Sequence, residues 1–278
     1  MWLSIIFTAC MNSLSPTPQP TQSVFREPES ILWDGNREVY WVSNMNGMSK
    51  EKDANGFITI VSPDGKILNP KFISSTKEHP LHSPKGMALQ GKKLFVVDLD
   101  TLRIYNADTG QHIHSEVIDH AVLLNDIVFA EGDIFMSDLY LDQVVRIDAV
   151  NFTIKTTISI EKPNGLFYEQ GELSIASFSE EGLIYCFELN SKQLKTIQVP
   201  KGYIDGIVKV GNQYLLSSWQ YEGLLFEDQK DWGLHETPKG MFADISFDEK
   251  HSRILLPVTK EQKILFVSQD MTSIITVY

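Results

Sequence analysis

Asn164-Gly165-Leu166-Phe167 begins a pattern that recurs along the chain and indicates its fold. After a short turn, Leu173-Ser174-Ile175-Ala176 completes this copy of the pattern. Each copy opens with a small or polar pair and continues as a short apolar strand. The other openings are Glu29-Ser30-Ile31-Leu32, Lys85-Gly86-Met87-Ala88, Asn125-Asp126-Ile127-Val128, Asp205-Gly206-Ile207-Val208 and Ala243-Asp244-Ile245-Ser246. Their first apolar positions, 31, 87, 127, 166, 207 and 245, are 56, 40, 39, 41 and 38 residues apart.

Every opening is followed by a second, stronger strand rich in Val, Ile, Leu and aromatic residues, and then by further apolar runs separated by Gly, Asp and Asn. These are strand and turn patterns, and no helical periodicity is sustained. Four strands in a unit of about 40 residues are typical of a propeller blade. The sequence therefore predicts an all-β fold, a six-bladed β-propeller with four antiparallel strands per blade, in one domain over residues 24–278.

The long first interval indicates an insertion in blade one, roughly Asn44 to Asn55, between its second and third strands. In an up-and-down blade this loop lies on the face where every first strand begins. Long loops in compact domains are often functional. We therefore expect the insertion to overhang the mouth of the central channel.

Composition narrows the class of partner. The formal net charge of −12 disfavours nucleic acid, because an acidic surface repels phosphate. The chain contains no CxxC, HExxH, GxSxG or GxxxxGK[ST] motif, so the common zinc, serine-hydrolase and nucleotide signatures are missing. Cys186 lies in an apolar run and is interpreted as a buried small hydrophobe.

Residues 1–23 have a different character. An apolar start ends in Phe7-Thr8-Ala9-Cys10, which resembles the lipobox of bacterial lipoproteins, and a Ser-, Thr-, Pro- and Gln-rich tether follows. This predicts lipidation of Cys10, attachment to a membrane and a periplasmic or cell-envelope location. The apolar stretch is short and no Lys or Arg precedes it, so the frayed start of a cytosolic protein is the alternative.

The six openings should bring a distinctive set of polar side chains to one axis. Carboxylate and amide oxygens are hard ligands suited to Ca²⁺, Mg²⁺ or Mn²⁺. For each pair taken singly, the alternative is that Asn-Gly and Asp-Gly are turn residues before a strand. The converging residues are Glu29, Lys85, Asn125, Asp126, Asn164, Asp205 and Asp244.

Four openings resemble the senescence marker protein (regucalcin)/gluconolactonase propellers. Glu29-Ser30-Ile31-Leu32-Trp33 is similar to that family's E-[GS]-P-V-W segment, Asn125-Asp126 to R-x-N-D-G, Asn164-Gly165-Leu166 to S-N-G-L, and Asp205-Gly206-Ile207 to P-D-G-M. The resemblance implies that Glu29, Asn164 and Asp205 bind one divalent cation (Ca²⁺, Mg²⁺, Mn²⁺ or Zn²⁺) and that Asn125 contacts a small-molecule substrate. It also implies hydrolysis of lactones or small esters, with Asp205 as the base.

Departures from the family leave an alternative function open. Leu123 stands where the family has a substrate-contacting arginine, and Ile31 replaces a proline. Lys85 and Asp244 bring charge where the family is small or apolar, and we expect Lys85 to pair with Glu29 or Asp244 in the space of a cation. The alternative is a non-enzymatic envelope scaffold that binds a ligand or protein.

Two further features remain open in the sequence. Trp219 and Tyr221 lie on the mouth side of blade five and either line a ligand pocket or belong to the core or a partner surface. Residues 273–277 complete blade six alone, or residues 23–26 join them as a clasp strand.

Overall fold

The structure is a computed structural model that describes residues 23–228, 231–236 and 238–278. Its strands form six four-stranded antiparallel sheets, and each sheet uses four consecutive strands in chain order. The first strands of successive blades contact one another in a complete ring, in which β1 of blade one lies beside β21 of blade six. The chain is a six-bladed β-propeller, which confirms the predicted fold.

The strands have the following bounds. Blades one and two contain β1 (Pro28–Asp34), β2 (Val39–Asn44), β3 (Phe57–Val61), β4 (Ile67–Ser74), β5 (Pro84–Gln90), β6 (Lys93–Asp98), β7 (Thr101–Asn106) and β8 (His112–Val117). Blades three and four contain β9 (Leu124–Ala130), β10 (Asp133–Asp138), β11 (Gln143–Asp148), β12 (Ile154–Ser159), β13 (Pro163–Glu169), β14 (Glu172–Ser177), β15 (Leu183–Glu188) and β16 (Leu194–Gln198). Blades five and six contain β17 (Ile204–Val210), β18 (Gln213–Ser218), β19 (Tyr221–Asp228), β20 (Asp231–His235), β21 (Ser246–Asp248), β22 (Arg253–Val258), β23 (Lys263–Ser268) and β24 (Ile274–Val277).

The core lies between neighbouring blades. Phe95 and Val97 of β6, for example, pack in one cluster with Ile127 of β9 and with Ile134 and Met136 of β10. The middle strands present apolar side chains to both adjacent blades, whereas outer strands such as β12 and β16 are largely exposed. Burial of apolar surface between blades therefore holds the ring together.

Within the part of the chain that the structure describes, blade six closes against blade one without a clasp strand. β24 pairs with β23 and completes blade six from the C-terminal side. The segment before β1 forms no strand, but Arg26 Nη1 donates to Gln262 Oε1 at 3.2 Å. Phe25 is completely buried in a cluster with Tyr40 of blade one and Phe266 of blade six. This segment is thus packed onto the closure by side chains, and of the two predicted arrangements the structure has the first.

The insertion in blade one occupies residues 45–56, between β2 and β3, as predicted. Lys52 Nζ forms an ion pair with Asp100 Oδ2 of blade two at 2.6 Å, and the Lys50 ammonium lies 4.2 Å from the centre of the Tyr140 ring of blade three. Ser49 lines the central cavity. The insertion therefore reaches over the mouth of the channel and contacts two other blades.

The predicted signal and tether, including Cys10, lie outside the described residues apart from Ser23. The boundary at residues 23 and 24 stays a prediction. Among the residues that the structure describes, no helix is long and apolar enough to cross a membrane.

Candidate functional site

The inner strands of blades one to five each carry a β-bulge near their start. In β1 the pairing passes from Pro28 directly to Ile31, so that Glu29 and Ser30 together lie opposite Ser43 alone. The pairing of β5, β9, β13 and β17 shifts at the corresponding place. A bulge bends a strand and re-aims its side chains, and here it turns the first residue of each opening pair toward the axis.

Glycine in the second bulge position allows neighbouring inner strands to approach closely. A Cβ on Gly165 would lie 2.5 Å from the carbonyl oxygen of Asp205, and one on Gly206 would lie 2.3 Å from the backbone nitrogen of Ile245. Both glycines lie within strands, so the interpretation of Asn-Gly and Asp-Gly as turn pairs is wrong. Their physical role is to let the ring contract around the axis.

Serines on the second strands form hydrogen bonds with the backbone of three of the bulges. In blades one, three and five the serine opposite the bulge accepts a hydrogen bond from the backbone N–H of the second bulge residue. These bonds are Ser30 N to Ser43 Oγ at 2.9 Å, Asp126 N to Ser137 Oγ at 3.0 Å and Gly206 N to Ser217 Oγ at 2.7 Å. Sequence reasoning missed these serines, although each is the penultimate residue of its second strand.

The bulges open onto a cavity of about 200 Å³ on the axis. The structure brings together five of the predicted side chains, one from each of the first five blades. All five line this cavity and are at least nine-tenths buried: Glu29, Lys85, Asn125, Asn164 and Asp205. The predicted convergence of the repeat openings is therefore present.

Four buried oxygens in the cavity accept no hydrogen bond. They are Glu29 Oε2, Asn125 Oδ1, Asn164 Oδ1 and Asp205 Oδ1. Leaving a buried acceptor unsatisfied costs about 1–3 kcal/mol, and more for a charged group, so such groups in one place call for an explanation. Carboxylate and amide oxygens are hard donors, and the set therefore fits a hard divalent cation.

The two oxygens of Asp205 have different surroundings. Oδ2 accepts a hydrogen bond of 2.6 Å from the Trp219 indole N–H, whereas Oδ1 accepts none. Burial raises the pKa of Asp205 to about 6, against the opposing effects of the Trp219 hydrogen bond and the Lys85 charge. Burial also raises the pKa of Glu29 well above its usual range, while the Lys85 charge opposes the shift. For both carboxylates the loss of solvation thus outweighs the favourable effect of the Lys85 charge on the ionised form.

Lys85 lies in the cavity, but its predicted ion pairs are not formed. Its ammonium lies 3.0 Å from Met45 Sδ and 3.4 Å from Ser83 Oγ. Within the described residues it has no carboxylate oxygen at ion-pair distance, so the expected pairing with Glu29 or Asp244 is wrong. Burial lowers the pKa of Lys85, and the charge of Glu29 opposes that effect. The ammonium therefore makes the cavity less negative without occupying a position between the carboxylates.

Asp126 and Asp244 lie outside the cavity lining and connect neighbouring blades. Asp126 Oδ2 accepts the backbone N–H of Leu166 at 2.6 Å, which joins blade three to blade four. Asp244 Oδ2 accepts the hydroxyl of Ser30 at 2.7 Å, which joins blade six to blade one. Burial raises the pKa of Asp126 to about 7. The two predicted accessory residues are thus positioned as links between blades.

One wall of the cavity is apolar. Leu123, Leu139 and Leu99 form a buried cluster against which Phe178 packs, and the Phe178 ring lies 5.8 Å from that of Trp219. Leu123, Leu139, Phe178 and Trp219 all line the cavity. Sequence reasoning identified Trp219, together with Tyr221, which does not line the cavity, and noted Leu123 only as a departure. The repeat pattern says nothing about the residues that precede a first strand or follow a second strand, where the four wall residues lie.

A cation in this cavity would depend on amide as well as carboxylate oxygens. No group of three or more His, Cys, Asp and Glu side chains in the described part of the chain is close enough to hold a metal ion. The cavity lining instead offers two carboxylates, Glu29 and Asp205, together with the amides of Asn125 and Asn164. Mixed ligation of this kind is ordinary for Ca²⁺ and unlike a structural zinc site.

A larger groove of about 690 Å³ lies on the outside of blades three and four. Two of its three cations are already paired, since Arg146 Nε and Lys155 Nζ lie 2.6 and 2.5 Å from the carboxylate of Asp133. Four of the seven buried side-chain atoms without a hydrogen-bond partner in the described residues lie in the smaller central cavity, which is therefore the candidate functional site.

Comparison with known proteins supports the fold alone. Neither a protein-family model nor a curated protein sequence matches the chain. Hydrazine synthase of Kuenenia stuttgartiensis is similar in structure, with a TM-score of 0.64 and 13% identity over 93% of this chain and 81% of that chain. Virginiamycin B lyase of Staphylococcus aureus is also similar, with a TM-score of 0.55 and 13% identity over 69% of each chain.

Proposed function

We propose that the propeller binds one divalent cation in its central cavity through Glu29, Asn164 and Asp205. The observation that carries the proposal is the set of buried oxygens without hydrogen-bond partners, one on each of these residues. The resemblance of the repeat openings to the regucalcin/gluconolactonase propellers supports the same three ligands. The identity of the cation is left to experiment among Ca²⁺, Mg²⁺, Mn²⁺ and Zn²⁺.

We further propose that the site hydrolyses lactones or small esters. A bound cation supplies a Lewis acid for a substrate carbonyl. We assign Asp205 as the base that orients the attacking water beside the cation, and the hydrogen bond from Trp219 to its Oδ2 holds the carboxylate in place. Asn125 places a further unpaired amide oxygen in the same cavity and suits substrate orientation.

A binding protein without turnover is the second candidate. It is favoured by Leu123, which leaves the wall without the arginine of the similar family, and by the ammonium of Lys85 beside the proposed ligands. Lys85 lowers the cavity's net negative charge and so weakens its attraction for a cation. In this alternative the cavity holds a ligand, and the propeller serves as an envelope scaffold.

Thermal denaturation with each of the four cations tests the site. A cation at about 100 times its dissociation constant should stabilise the protein by about 2.7 kcal/mol. Glu29→Gln and Asp205→Asn keep the side-chain shape but remove the charge, and each should abolish the shift. Glu38→Gln, at an exposed carboxylate distant from the axis, is the matched control.

The outcomes separate the candidates. No shift with any cation, or an equal shift in Asp205→Asn, contradicts the cation site. If a cation binds, release of acid from a panel of lactones and esters distinguishes the hydrolase from the binding protein, and the hydrolase requires Asp205→Asn to be inactive.

We also propose that the protein is an envelope lipoprotein anchored through Cys10, on the strength of the lipobox-like sequence alone. Cell fractionation without detergent should place the wild-type chain with membranes and Cys10→Ser in the soluble fraction. Recovery of both in the soluble fraction contradicts the anchor.

A further inference from the structure

The central cavity has two chemically different sides. Its floor carries the unsatisfied oxygens of Glu29, Asn125, Asn164 and Asp205. One side of its mouth consists of Leu123, Leu139, Phe178 and Trp219, contributed by blades three, four and five. An arrangement of this kind suits a ligand with a polar head and an apolar body.

The wall is built as a unit. Leu123 and Leu139 are 3% and 9% exposed and belong to one buried cluster with Leu99. The Phe178 ring contacts this cluster and lies at a steep angle to the rings of Tyr203 and Trp219, 5.5 and 5.8 Å away. Packing on several sides fixes the wall, so it is present before any ligand binds.

The apolar wall cannot satisfy the hydroxyl groups of a sugar, so hydrogen bonds to them would have to come from the rest of the lining, where Ser49, Tyr140 and Thr259 lie. The side chains of Leu123, Leu139 and Phe178 contain no hydrogen-bonding atom, and the Trp219 N–H is already donated to Asp205. A hydroxyl held against this surface would lose its bonds to water, which costs free energy unless the protein replaces them. An alkyl or aryl group loses nothing there and gains from burial.

We propose that the cavity takes a small carbonyl compound with an apolar substituent, such as an alkyl- or aryl-substituted lactone, in preference to a polyhydroxylated sugar lactone. The carbonyl end enters the oxygen-lined floor, and the substituent lies against Leu123, Leu139 and Phe178. This inference rests on the proposed function, because the cation of that proposal supplies the attraction for the carbonyl.

The dimensions limit the ligand. A cavity of about 200 Å³ is smaller than the roughly 300–1,000 Å³ of most ligand pockets. A ring with a short chain fits such a space, whereas a peptide or a folded partner does not. The ligand is therefore a small molecule, and its apolar part is a few carbons long.

Calorimetric titration with unreactive ring amides tests the inference. The probes are pyrrolidinones that carry a methyl, propyl or pentyl group, together with gluconolactam as the polyhydroxylated counterpart, each titrated with and without Ca²⁺. Each buried methylene should tighten binding about fourfold until the wall is covered, and gluconolactam should bind more weakly than the propyl probe. A flat series, tighter binding of gluconolactam, or no binding of any probe overturns the inference.

Matched variants test whether the apolar wall causes the dependence of affinity on chain length. Leu123→Ala and, independently, Leu139→Ala should flatten the chain-length series, provided that their circular dichroism spectra match that of the wild type. Val122→Ala is the control, because Val122 is half-exposed beside Leu123 and does not line the cavity. An equal loss in Val122→Ala contradicts the assignment of the wall.

The two proposals fail in different ways. Titration with Ca²⁺ alone reports on the cation site without any carbonyl ligand. Cation binding together with a flat probe series contradicts the apolar wall only. A chain-length dependence without any cation binding contradicts the cation site only.

Discussion

Lys85 is the residue that most limits how strongly the cavity attracts a cation. Its ammonium is 2% exposed and contacts Met45 and Ser83 while pairing with no carboxylate among the described residues. A unit charge several ångströms from a dication repels it by a few kcal/mol at an effective dielectric constant of about 20. The electrostatics of the site therefore depend on this one side chain.

Replacing Lys85 by methionine should tighten cation binding. Lys85→Met keeps the length of the side chain and removes the repulsion, so we expect the affinity for Ca²⁺ to rise at least about tenfold. Calorimetric titration measures the change. Lys92→Met, at an exposed lysine on the outside of blade two, is the control and should change little. Unaltered or weaker binding in Lys85→Met contradicts the electrostatic argument.

For individual residues, the sequence predicted which side chains lie near the axis better than it predicted their hydrogen-bond partners. The repeat alignment placed Glu29, Lys85, Asn125, Asn164 and Asp205 at one axis, and all five line one cavity. Which of these oxygens accepts a hydrogen bond depends on contacts that no local pattern encodes. An example is the indole N–H of Trp219, which follows the second strand of blade five and donates to Asp205.

Asp126 and Asp244 show the same limit. Their repeat positions predicted side chains in the cavity near the axis. Instead, each carboxylate accepts a hydrogen bond from an adjacent blade, from a backbone N–H or from a serine hydroxyl. The sequence order of the blades identifies neighbours, but not which donor a carboxylate will find there.

At the element scale the bulge explains why the openings begin with small or polar pairs. The first bulge residue faces the cavity, and the second lies against the next blade, where Gly165 and Gly206 have no room for a Cβ. The sequence predicted the strands that contain these pairs and their convergence, and it left a turn as the alternative for each pair taken singly. The bulge could not be inferred locally, because it is the approach of the neighbouring blade that requires it.

The segment before β1 contributes to closure of the ring. Phe25 is completely buried between blades one and six, although the segment forms no strand. The sequence could not assign this role, because a single aromatic residue after a polar tether carries no periodic signal.

Phe25→Ala should therefore destabilise the whole propeller. Truncating a buried phenylalanine typically costs about 3–5 kcal/mol, and a shift of roughly 2–4 °C in the melting temperature accompanies each kcal/mol in domains of this size class. Val150→Ala, at a side chain that is 86% exposed, is the control and should leave the melting temperature within a degree or two. An unchanged melting temperature in Phe25→Ala means that the segment is only a tether.

At the scale of the whole molecule, the ring concentrates carboxylates on its axis. Six similar blades place six similar positions together, so acidic residues separated by 39 to 97 positions in sequence come close to one axis. Burial keeps water from solvating them. The fold itself therefore creates the conditions in which a bound cation stabilises the protein.

The stability of the cation-free protein should increase as the pH falls from 8 to about 5. The pKa values of Asp126 and Asp205 are raised to about 7 and about 6, mainly by burial, and burial likewise raises those of Glu29 and Asp244. In this range the folded chain binds more protons than the unfolded chain, so protonation favours folding. The lowered pKa values of His112 and Lys85, also caused mainly by burial, act in the opposite direction.

Urea denaturation in the presence of a chelator measures this dependence. Each unit by which a pKa is raised corresponds to about 1.4 kcal/mol, so the four buried carboxylates together should outweigh His112 and Lys85. Asp205→Asn, which cannot ionise, should reduce the slope, whereas Asp270→Asn on the surface should not. A saturating divalent cation should reverse the trend, because it stabilises the ionised carboxylates and is displaced by protons at low pH. If the cation-free protein instead loses stability as the pH falls from 8 to 5, the buried carboxylates near the axis do not dominate its response to pH.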